Sequence, residues 1–327
     1  MNDAWSRLVD QLKLPVIAAP MFLVSGPDLV LAACRSGVIG SLPGPNGRTL
    51  EDLHSWFDTI TTGLESDVKD GVPSAPWAFN MLTHSTYGRF DAELELVKHF
   101  QPRLVITALG GPQRVVDDVH DYGGLVFADV NSPAYARKAV ARGADGLVLV
   151  SAGAGGHTGA YAMSAFIDEV RSFFSGPVVA AGAISTGRSV RAAETLGADL
   201  AYMGTRFIAA EESLAAGPYK SMLTESHMED VFTSDAVTGA KANWLRPSLH
   251  ANGVELSEDK PDIDFAGDMH ADAKAWKHVW SAGHGVGEVA AVEPAADIVA
   301  GVIEEYRKAV IAERLHRTAF ARRLGIL

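Results

Sequence analysis

The chain has 327 residues, of which 47% are hydrophobic and 21% are charged, and its formal net charge is −12. This length can bury one large core or two, and the composition is that of a folded globular protein. The acidic balance argues against nucleic acid or an anionic membrane as a partner, although a local nest of backbone amides can still bind a phosphate.

Three features bear on the compartment. The single cysteine, Cys34, excludes an internal disulfide and fits a reducing environment. The first residues lack the basic and apolar segments of a signal peptide. No apolar run in the sequence is long enough to cross a bilayer. We therefore expect a cytoplasmic protein that has no membrane partner.

Eight short apolar runs alternate with helical patterns from the start of the chain to about residue 208. Most of these runs are continuously apolar, as in parallel strands buried on both faces. Strand–helix alternation predicts βαβ units, and eight repeats favour a closed (β/α)8 TIM barrel over an open doubly wound sheet. The predicted strands are Leu14–Pro20, Gly37–Pro43, Trp77–Leu82, Arg103–Gly110, Gly123–Val130, Gly143–Ser151, Gly176–Ala183 and Ala198–Ile208.

Regular alternation stops after Phe207. Residues 210–280 combine several helical stretches with a polar segment at 257–262, which predicts a partly helical cap beside the barrel mouth. A strongly patterned helix is then predicted over Ala295–Arg314. We therefore expect a barrel with a terminal helix, formed by residues 1–209 and 281–327, and a cap excursion formed by residues 210–280.

One segment after the sixth predicted strand combines glycines with a proton-transfer group. The apolar run Leu147–Val150 leads into Gly153-Ala-Gly-Gly-His157-Thr-Gly159. Glycines let a backbone approach a ligand closely, and His157 is the one side chain there whose ordinary pKa lies near neutrality. Taken alone, the segment is compatible with an active-site loop and with a tight turn that carries an incidental surface histidine.

In such a barrel the carboxyl ends of the strands form the site. Asn80 and Asp129 are placed at the ends of the third and fifth strands. The last two strands end in Ala181-Gly182-Ala183-Ile184 and Met203-Gly204-Thr205-Arg206. Loops at these two positions commonly bind phosphate, with backbone N–H groups as donors and here the Thr205 hydroxyl as a further one. The alternative is that the glycines only relieve crowding in the barrel.

These motifs together resemble the nitronate monooxygenase family, formerly called the 2-nitropropane dioxygenases. The likeness runs from about Leu14 to Gly287, and its specific part is the AGGH-x-G loop with the later MGTRF. The motifs are Ala19-Pro20-Met21, Phe79-Asn80, Ala154-Gly155-Gly156-His157-x-Gly159, Ala181-Gly182-Ala183-Ile184, Met203-Gly204-Thr205-Arg206-Phe207 and Ser281-Ala282-Gly283-His284-Gly285-Val286-Gly287.

The resemblance implies a TIM barrel with non-covalent FMN that oxidises alkyl nitronates with O2 to carbonyl compounds and nitrite. It implies that His157 is the catalytic histidine, with a nitronate or nitroalkane as the small-molecule substrate. It also implies two groups of cofactor contacts. Ala19, Met21 and Asn80 would lie beside the flavin, and Gly156, Gly182, Ala183, Gly204 and Thr205 would lie near its ribityl phosphate. Ala181 and Ile184 would be further cofactor contacts.

Three departures from the family pattern leave the substrate open. Val150-Ser151-Ala152-Gly153 stands where relatives often carry Gln-Gly-x-Glu, Asp129 replaces a lysine of some relatives, and His284 replaces a glutamine. Asp129 is interpreted either as a partner for a ribityl hydroxyl or as a solvated strand-end residue. His284 and His84, which follows the third strand, are candidate substrate contacts.

The leading hypothesis is FMN-dependent nitronate oxidation with a histidine base. No His, Asp, Glu or Cys grouping has metal-ligand spacing, so no metal is expected. One rival is an FMN-dependent NAD(P)H:quinone or enoyl-thioester reductase on the same scaffold, and another is a non-catalytic barrel that senses a phosphorylated metabolite. The sequence leaves open the physiological substrate, the use of NAD(P)H, homo-oligomer formation and movement of the cap.

Overall fold

Eight parallel strands close into a barrel in the order β1-β2-β3-β4-β5-β6-β8-β9. The structure is a computed structural model that describes residues 3–254 and 277–325. The predicted (β/α)8 TIM barrel is therefore confirmed. Its strands are β1 (Val16–Ala18), β2 (Ile39–Pro43), β3 (Trp77–Leu82), β4 (Leu104–Ala108), β5 (Leu125–Val130), β6 (Gly146–Val150), β8 (Val178–Ala181) and β9 (Leu200–Met203).

Helices follow the barrel strands, and local sequence signals begin several of them. At the start of α3, Thr49 and Asp52 form a capping box, in which each side chain accepts the backbone N–H of the other residue. The helices are α1 (Asp3–Val9), α2 (Pro27–Ser36), α3 (Leu50–Lys69), α4 (Phe90–Phe100), α5 (Val116–Asp121), α6 (Pro133–Ala141), α7 (Met163–Arg171), α8 (Gly187–Thr195), α9 (Thr205–Ile208), α10 (Gly217–Glu225), α11 (Arg246–Ala251) and α12 (Ala295–Arg323).

The amino-terminal end of the barrel is sealed by apolar side chains. Alternate residues of a strand point to the same side, so Leu125 and Phe127 of β5 face the barrel interior below Asp129. The ring of Phe127 fills the space opposite Gly146, where a Cβ atom would collide with it. Trp5 of α1 packs on Phe127 with ring centroids 6.0 Å apart. A ligand must therefore enter from the carboxyl end.

Residues of the excursion add a small antiparallel sheet in the order β10-β11-β7. Strands β10 (Val231–Ser234) and β11 (Ala242–Leu245) come from the excursion, whereas β7 (Gly156–His157) belongs to the glycine-rich loop. Helices α10 and α11 match the expected helical character. The small sheet was not predicted, because β7 has only two residues and so short a strand shows no periodicity in the sequence. The division into barrel and excursion stays a prediction, and the polar segment at 257–262 lies outside the described residues.

The last barrel strand is shorter than the sequence predicts. The prediction over Ala198–Ile208 is wrong at its end, because β9 stops at Met203 and Thr205–Ile208 forms the helical turn α9. A short apolar run does not distinguish a strand from a buried helical turn.

Within the described ranges, no helix combines the length and the apolar character that a bilayer crossing requires.

Candidate active site

A cavity of about 880 Å³ opens at the carboxyl ends of the barrel strands. Small-molecule sites range from roughly 300 to 1,000 Å³, so this one has room for a large ligand or for two. All predicted site residues except His284 lie in its wall. They are Ala19, Met21, Asn80, His84, Asp129, Gly156, His157, Ala181, Gly182, Ala183, Ile184, Gly204 and Thr205.

Three polar side chains form the floor of this cavity. Asn80, Asp129 and Tyr202 project inward from β3, β5 and β9 at the level above the apolar interior. The Asn80 amide donates to the carbonyl of Ile106 at 3.2 Å. Asp129 Oδ1 and the Tyr202 hydroxyl are buried and have no hydrogen-bond partner among the described residues. Buried polar atoms are rarely left unpaired, so these two fit a ligand that supplies hydroxyl groups.

Burial also changes how these groups titrate. Removal from water raises the pKa of Asp129 from 3.8 to about 7, against the opposing effect of a hydrogen bond from Asn80. The pKa of Tyr202 is raised well above 10, first by burial and then by the neighbouring Asp129 carboxylate. Near neutral pH, Asp129 is therefore divided between its acid and its carboxylate, and can donate or accept a hydrogen bond.

The glycines at the ends of β8 and β9 occupy positions with different structural requirements. Gly182 has φ +127°, and a Cβ atom there would lie 3.0 Å from the carbonyl oxygen of Ala152, so its own backbone requires glycine. Gly204 has φ −105°, and its Cβ would lie 3.6 Å from Ala19 and Met21, an ordinary contact distance. The protein itself does not require glycine at 204. The space that a side chain would fill there belongs to the cavity.

The loop that carries His157 is held in place by the excursion. Asn243 of β11 is fully buried, and its side-chain amide donates to the carbonyl of Ala154 at 2.7 Å. The N–H of Thr158 donates to the carbonyl of Lys241 at 3.1 Å. Together with the β7–β11 pairing, in which His157 lies opposite Ala242, these bonds fix the histidine at the cavity wall.

Burial lowers the pKa of His157 below its ordinary value of 6.5. The charged imidazolium loses hydration in the partly buried site, and the neutral ring is favoured. A neutral imidazole at physiological pH can accept a proton from a substrate. The position and the protonation state therefore suit a general base.

The late glycine-rich segment joins the site through its backbone. The carbonyl of Gly153 accepts the N–H groups of both Ala183 and His284, at 3.2 and 2.9 Å. Gly283 N–H donates to the Thr205 hydroxyl oxygen at 2.9 Å, which leaves the hydroxyl proton available to a ligand. The His284 ring packs beside Gly153 and is not part of the cavity wall. Its role as a substrate contact stays a prediction.

His84 lies in the wall next to β3. Its Nδ1 atom accepts the backbone N–H of Thr86 at 3.3 Å and lies 2.7 Å from the hydroxyl oxygen of that residue. Because Nδ1 is an acceptor there, the neutral ring carries its proton on Nε2. His84 is therefore suited to donate a hydrogen bond, and its substrate contact stays a prediction.

Sequence reasoning missed several residues of this cavity. Tyr202 could have been found from the period of two that places it above Leu200 on the inward face of β9. Three cations also line the wall: Arg114 after β4, Lys138 on α6 and Arg142 directly after α6. No motif marks them, because they come together only when the helices pack around the barrel.

Comparisons with known proteins agree with the resemblance that the sequence motifs indicate. The sequence profile of the family described as nitronate monooxygenase matches residues 6–305. A nitronate monooxygenase from Paraburkholderia phytofirmans is similar to this chain, with 27% identity over 341 aligned positions that cover 90% of this chain and 93% of that protein.

Two further relatives differ in their reactions. A hydroxy-methyl-oxo-octahydroindene carboxyl-CoA dehydrogenase from Mycobacterium tuberculosis is 27% identical over 240 positions, covering 72% of this chain and 64% of that protein. The structure of a nitroalkane oxidase from Streptomyces ansochromogenes superposes with a TM-score of 0.78 at 25% identity, and covers 95% of this chain and 100% of that one. These proteins share an oxidoreductase scaffold and differ in substrate.

Proposed function

The chain belongs to the nitronate monooxygenase family and is an oxidoreductase, and from that premise we propose that it binds FMN and oxidises alkyl nitronates with O2. The products are a carbonyl compound and nitrite. One observation supports the proposal most. His157 and the glycine edge formed by Gly182 and Gly204 open into the same cavity, so a base and a phosphate cradle face one ligand space.

The residues of this cavity fit FMN. The space next to Gly204, backed by the start of α9, suits the phosphate, and the Thr205 hydroxyl keeps a proton to donate. The unpartnered atoms Asp129 Oδ1 and Tyr202 Oη suit the hydroxyl groups of a ribityl chain. When bound, FMN supplies an electron acceptor that can also react with O2, while the protein supplies orientation and electrostatics.

His157 handles the proton in the proposed reaction. A neutral nitroalkane must lose its α-proton before it can be oxidised, and the neutral imidazole of His157 accepts that proton. A nitronate has already lost the proton, so it needs only orientation and stabilisation of its charge. We assign His84, which lies in the cavity wall, to hold the nitro oxygens.

His157→Asn tests this assignment. We expect the variant to keep FMN, because Asn retains a polar side chain of similar size. Turnover of a neutral nitroalkane should fall by a factor of about 10² to 10⁴, the typical contribution of a general base, and turnover of a preformed nitronate should fall less. Steady-state rates with both forms of one substrate, and the visible absorption spectrum, measure these effects.

The pH dependence sharpens the same test. Because the pKa of His157 lies below 6.5, the acid limb of kcat/KM for a neutral nitroalkane should also lie below pH 6.5 and should vanish in His157→Asn. His54→Asn, which changes a histidine on the outer helix α3, serves as a control and should leave the profile unchanged. Wild-type rates with both substrate forms in His157→Asn would remove the histidine base from the proposal.

A reductase on the same scaffold is the second candidate. The dehydrogenase relative acts on a CoA-linked compound by its name, and the cations in the cavity wall of this chain favour an anionic substrate. Anaerobic stopped-flow separates the two functions. Bleaching of the flavin absorption by a nitronate supports the monooxygenase, and bleaching by NADH or NADPH supports the reductase.

A further inference from the structure

One lobe of the cavity has no role in the proposed reaction. This lobe lies where the loop after β4 faces α6, and we name it the basic annex. Five side chains line it. They are Gln113, Arg114, Tyr135, Lys138 and Arg142. The phosphate cradle at β8 and β9 is on the other side of the barrel, because β4 and β9 are four strands apart in the closed sheet of eight.

The side chains of the annex come from two separate parts of the chain, and Arg142 spans the space between them. A Cβ atom placed on Gly111 would lie 2.9 Å from Nη1 of Arg142, so this guanidinium reaches from the end of α6 to the loop after β4. The Lys138 ammonium lies 5.3 Å from the ring centroid of Tyr135. Tyr135 is 56% exposed and presents its ring at the rim.

Arg114 is held before any ligand binds. Its guanidinium stacks on the Phe90 ring at 3.4 Å, and its Nη1 atom donates to the carbonyls of Thr83 and His84 at 3.3 and 3.0 Å. These partners are neutral, and no described carboxylate forms an ion pair with Arg114. A guanidinium fixed in this way loses little freedom when it binds an oxyanion.

The annex carries positive charge, whereas the chain as a whole is negatively charged. Arg35, Arg171 and Arg191 each have a carboxylate oxygen within 3.4 Å. Among the described residues, by contrast, no carboxylate forms an ion pair with any of the three annex cations. Among the described residues of the cavity wall, the one carboxyl is Asp129, on the floor. In a protein of net charge −12, three cations around one lobe therefore have no ion-pair partner in the part of the chain that the structure describes.

We propose that the basic annex binds the adenosine diphosphate portion of a molecule whose reactive end reaches the flavin side of the cavity. Arg114, Lys138 and Arg142 would bind the phosphate oxygens, since guanidinium groups match them in geometry as well as charge. The exposed Tyr135 ring would stack on the adenine. Several cations beside an aromatic face suit a nucleotide better than a simple carboxylate.

Two classes of molecule carry this portion, coenzyme A thioesters and pyridine dinucleotides. The inference shares one premise with the proposed function, which is that the reaction takes place in this cavity. Binding of the adenosine diphosphate portion can be measured without turnover, so its failure and the failure of nitronate oxidation are separate results.

The test is calorimetric titration of ADP into the purified, flavin-loaded protein. In the double variant Lys138→Gln/Arg142→Gln, we expect the Kd for ADP to rise at least about tenfold, because charge-assisted hydrogen bonds to phosphate are lost. The affinity of the wild type should fall as salt is added. The control is Arg137→Gln on the same helix, because that guanidinium stacks on Phe173 at 3.8 Å, outside the cavity wall. Its Kd should stay within about twofold of the wild type.

Titrations with coenzyme A and with NADPH then identify the source. Tighter binding of coenzyme A than of ADP, lost in the double variant, assigns a CoA-linked substrate, and the same result with NADPH assigns a reductant. Absence of ADP binding at millimolar concentration would overturn the proposal. So would an affinity that the double variant leaves unchanged, or one that Arg137→Gln weakens equally.

Discussion

Two buried carboxyls in this protein have similar pKa values and opposite surroundings. Burial raises the pKa of Glu93 from 4.5 and that of Asp129 from 3.8, in both cases to about 7. Glu93 lies on α4, where its Oε1 atom accepts the Tyr87 hydroxyl at 2.6 Å and pairs with Arg89 at 3.1 Å. Asp129 lies on the cavity floor, has no cation beside it, and leaves Oδ1 without a partner among the described residues.

The comparison shows that a raised pKa does not by itself mark a functional residue. Structural ion pairs and ligand sites both perturb carboxyl groups. Each carboxyl has one oxygen without a hydrogen-bond partner among the described residues, so the difference lies in position. Glu93 pairs with Arg89 and lies outside the cavity wall, whereas Asp129 has no arginine partner and lines the cavity. Gly182 and Gly204 differ in a related way, because the backbone requires glycine at the first position and does not require it at the second.

The largest expected effect comes from Gly204→Val. The branched side chain would occupy the proposed phosphate space while the backbone at φ −105° accepts any residue. Loss of two charge-assisted hydrogen bonds would weaken FMN binding by a factor on the order of 10² to 10⁴, with the fold intact. Flavin fluorescence titration and circular dichroism measure the two quantities. Full flavin occupancy in a folded Gly204→Val protein would remove the phosphate assignment.

The two carboxyls are compared directly by matched amide substitutions. Asp129→Asn removes a partner of the proposed ribityl hydroxyls, so FMN affinity should fall about tenfold and the free energy of unfolding should change little. Glu93→Gln places an amide NH2 group at the position of Oε2, which has no hydrogen-bond partner among the described residues, so buried N–H donors are left unpaired. It should cost about 2 kcal/mol of unfolding free energy and leave FMN affinity unchanged.

Urea denaturation measures the free energy of unfolding of both variants, and flavin titration measures their affinity for FMN. The contrast between the sites fails if Asp129→Asn lowers stability as much as Glu93→Gln does. It also fails if Glu93→Gln releases flavin from a folded protein. Either outcome would mean that the two carboxyls do not differ in their roles in stability and in FMN binding.

The smallest expected effect is on the pH dependence of stability. The pKa of Glu93 is higher in the folded protein than in the unfolded chain, so the folded state binds its proton more tightly. Its contribution is present below pH 4.5 and is lost as the pH rises through about 7. The slope is at most about 1.4 kcal/mol per pH unit, with stability falling as pH rises. In Glu93→Gln the slope of stability against pH across that range should decrease by this contribution, while the contribution of Asp129 remains. An unchanged slope would contradict the assignment.

Much of the site could be predicted because barrel strands end in the same layer. Buried apolar runs and their count indicated the barrel, and its geometry then placed Asn80, Asp129, His157 and Gly204 at one mouth. His284 shows the limit of this reasoning. Its neighbours Gly283 and Gly285 lie in the wall, but a loop has no fixed periodicity, so the direction of a loop side chain cannot be inferred from its position in a motif.

The sequence by itself determined the parallel barrel, its open end and the residue types at the strand ends, because these follow from local periodicity and from chain order. The tertiary structure alone decided three other things. It paired β7 with β11, left Asp129 Oδ1 and the Tyr202 hydroxyl without a hydrogen-bond partner among the described residues, and placed Arg114, Lys138 and Arg142 in the wall of one cavity. Each of these joins residues that are distant in the chain, and such contacts depend on packing geometry that no local pattern encodes.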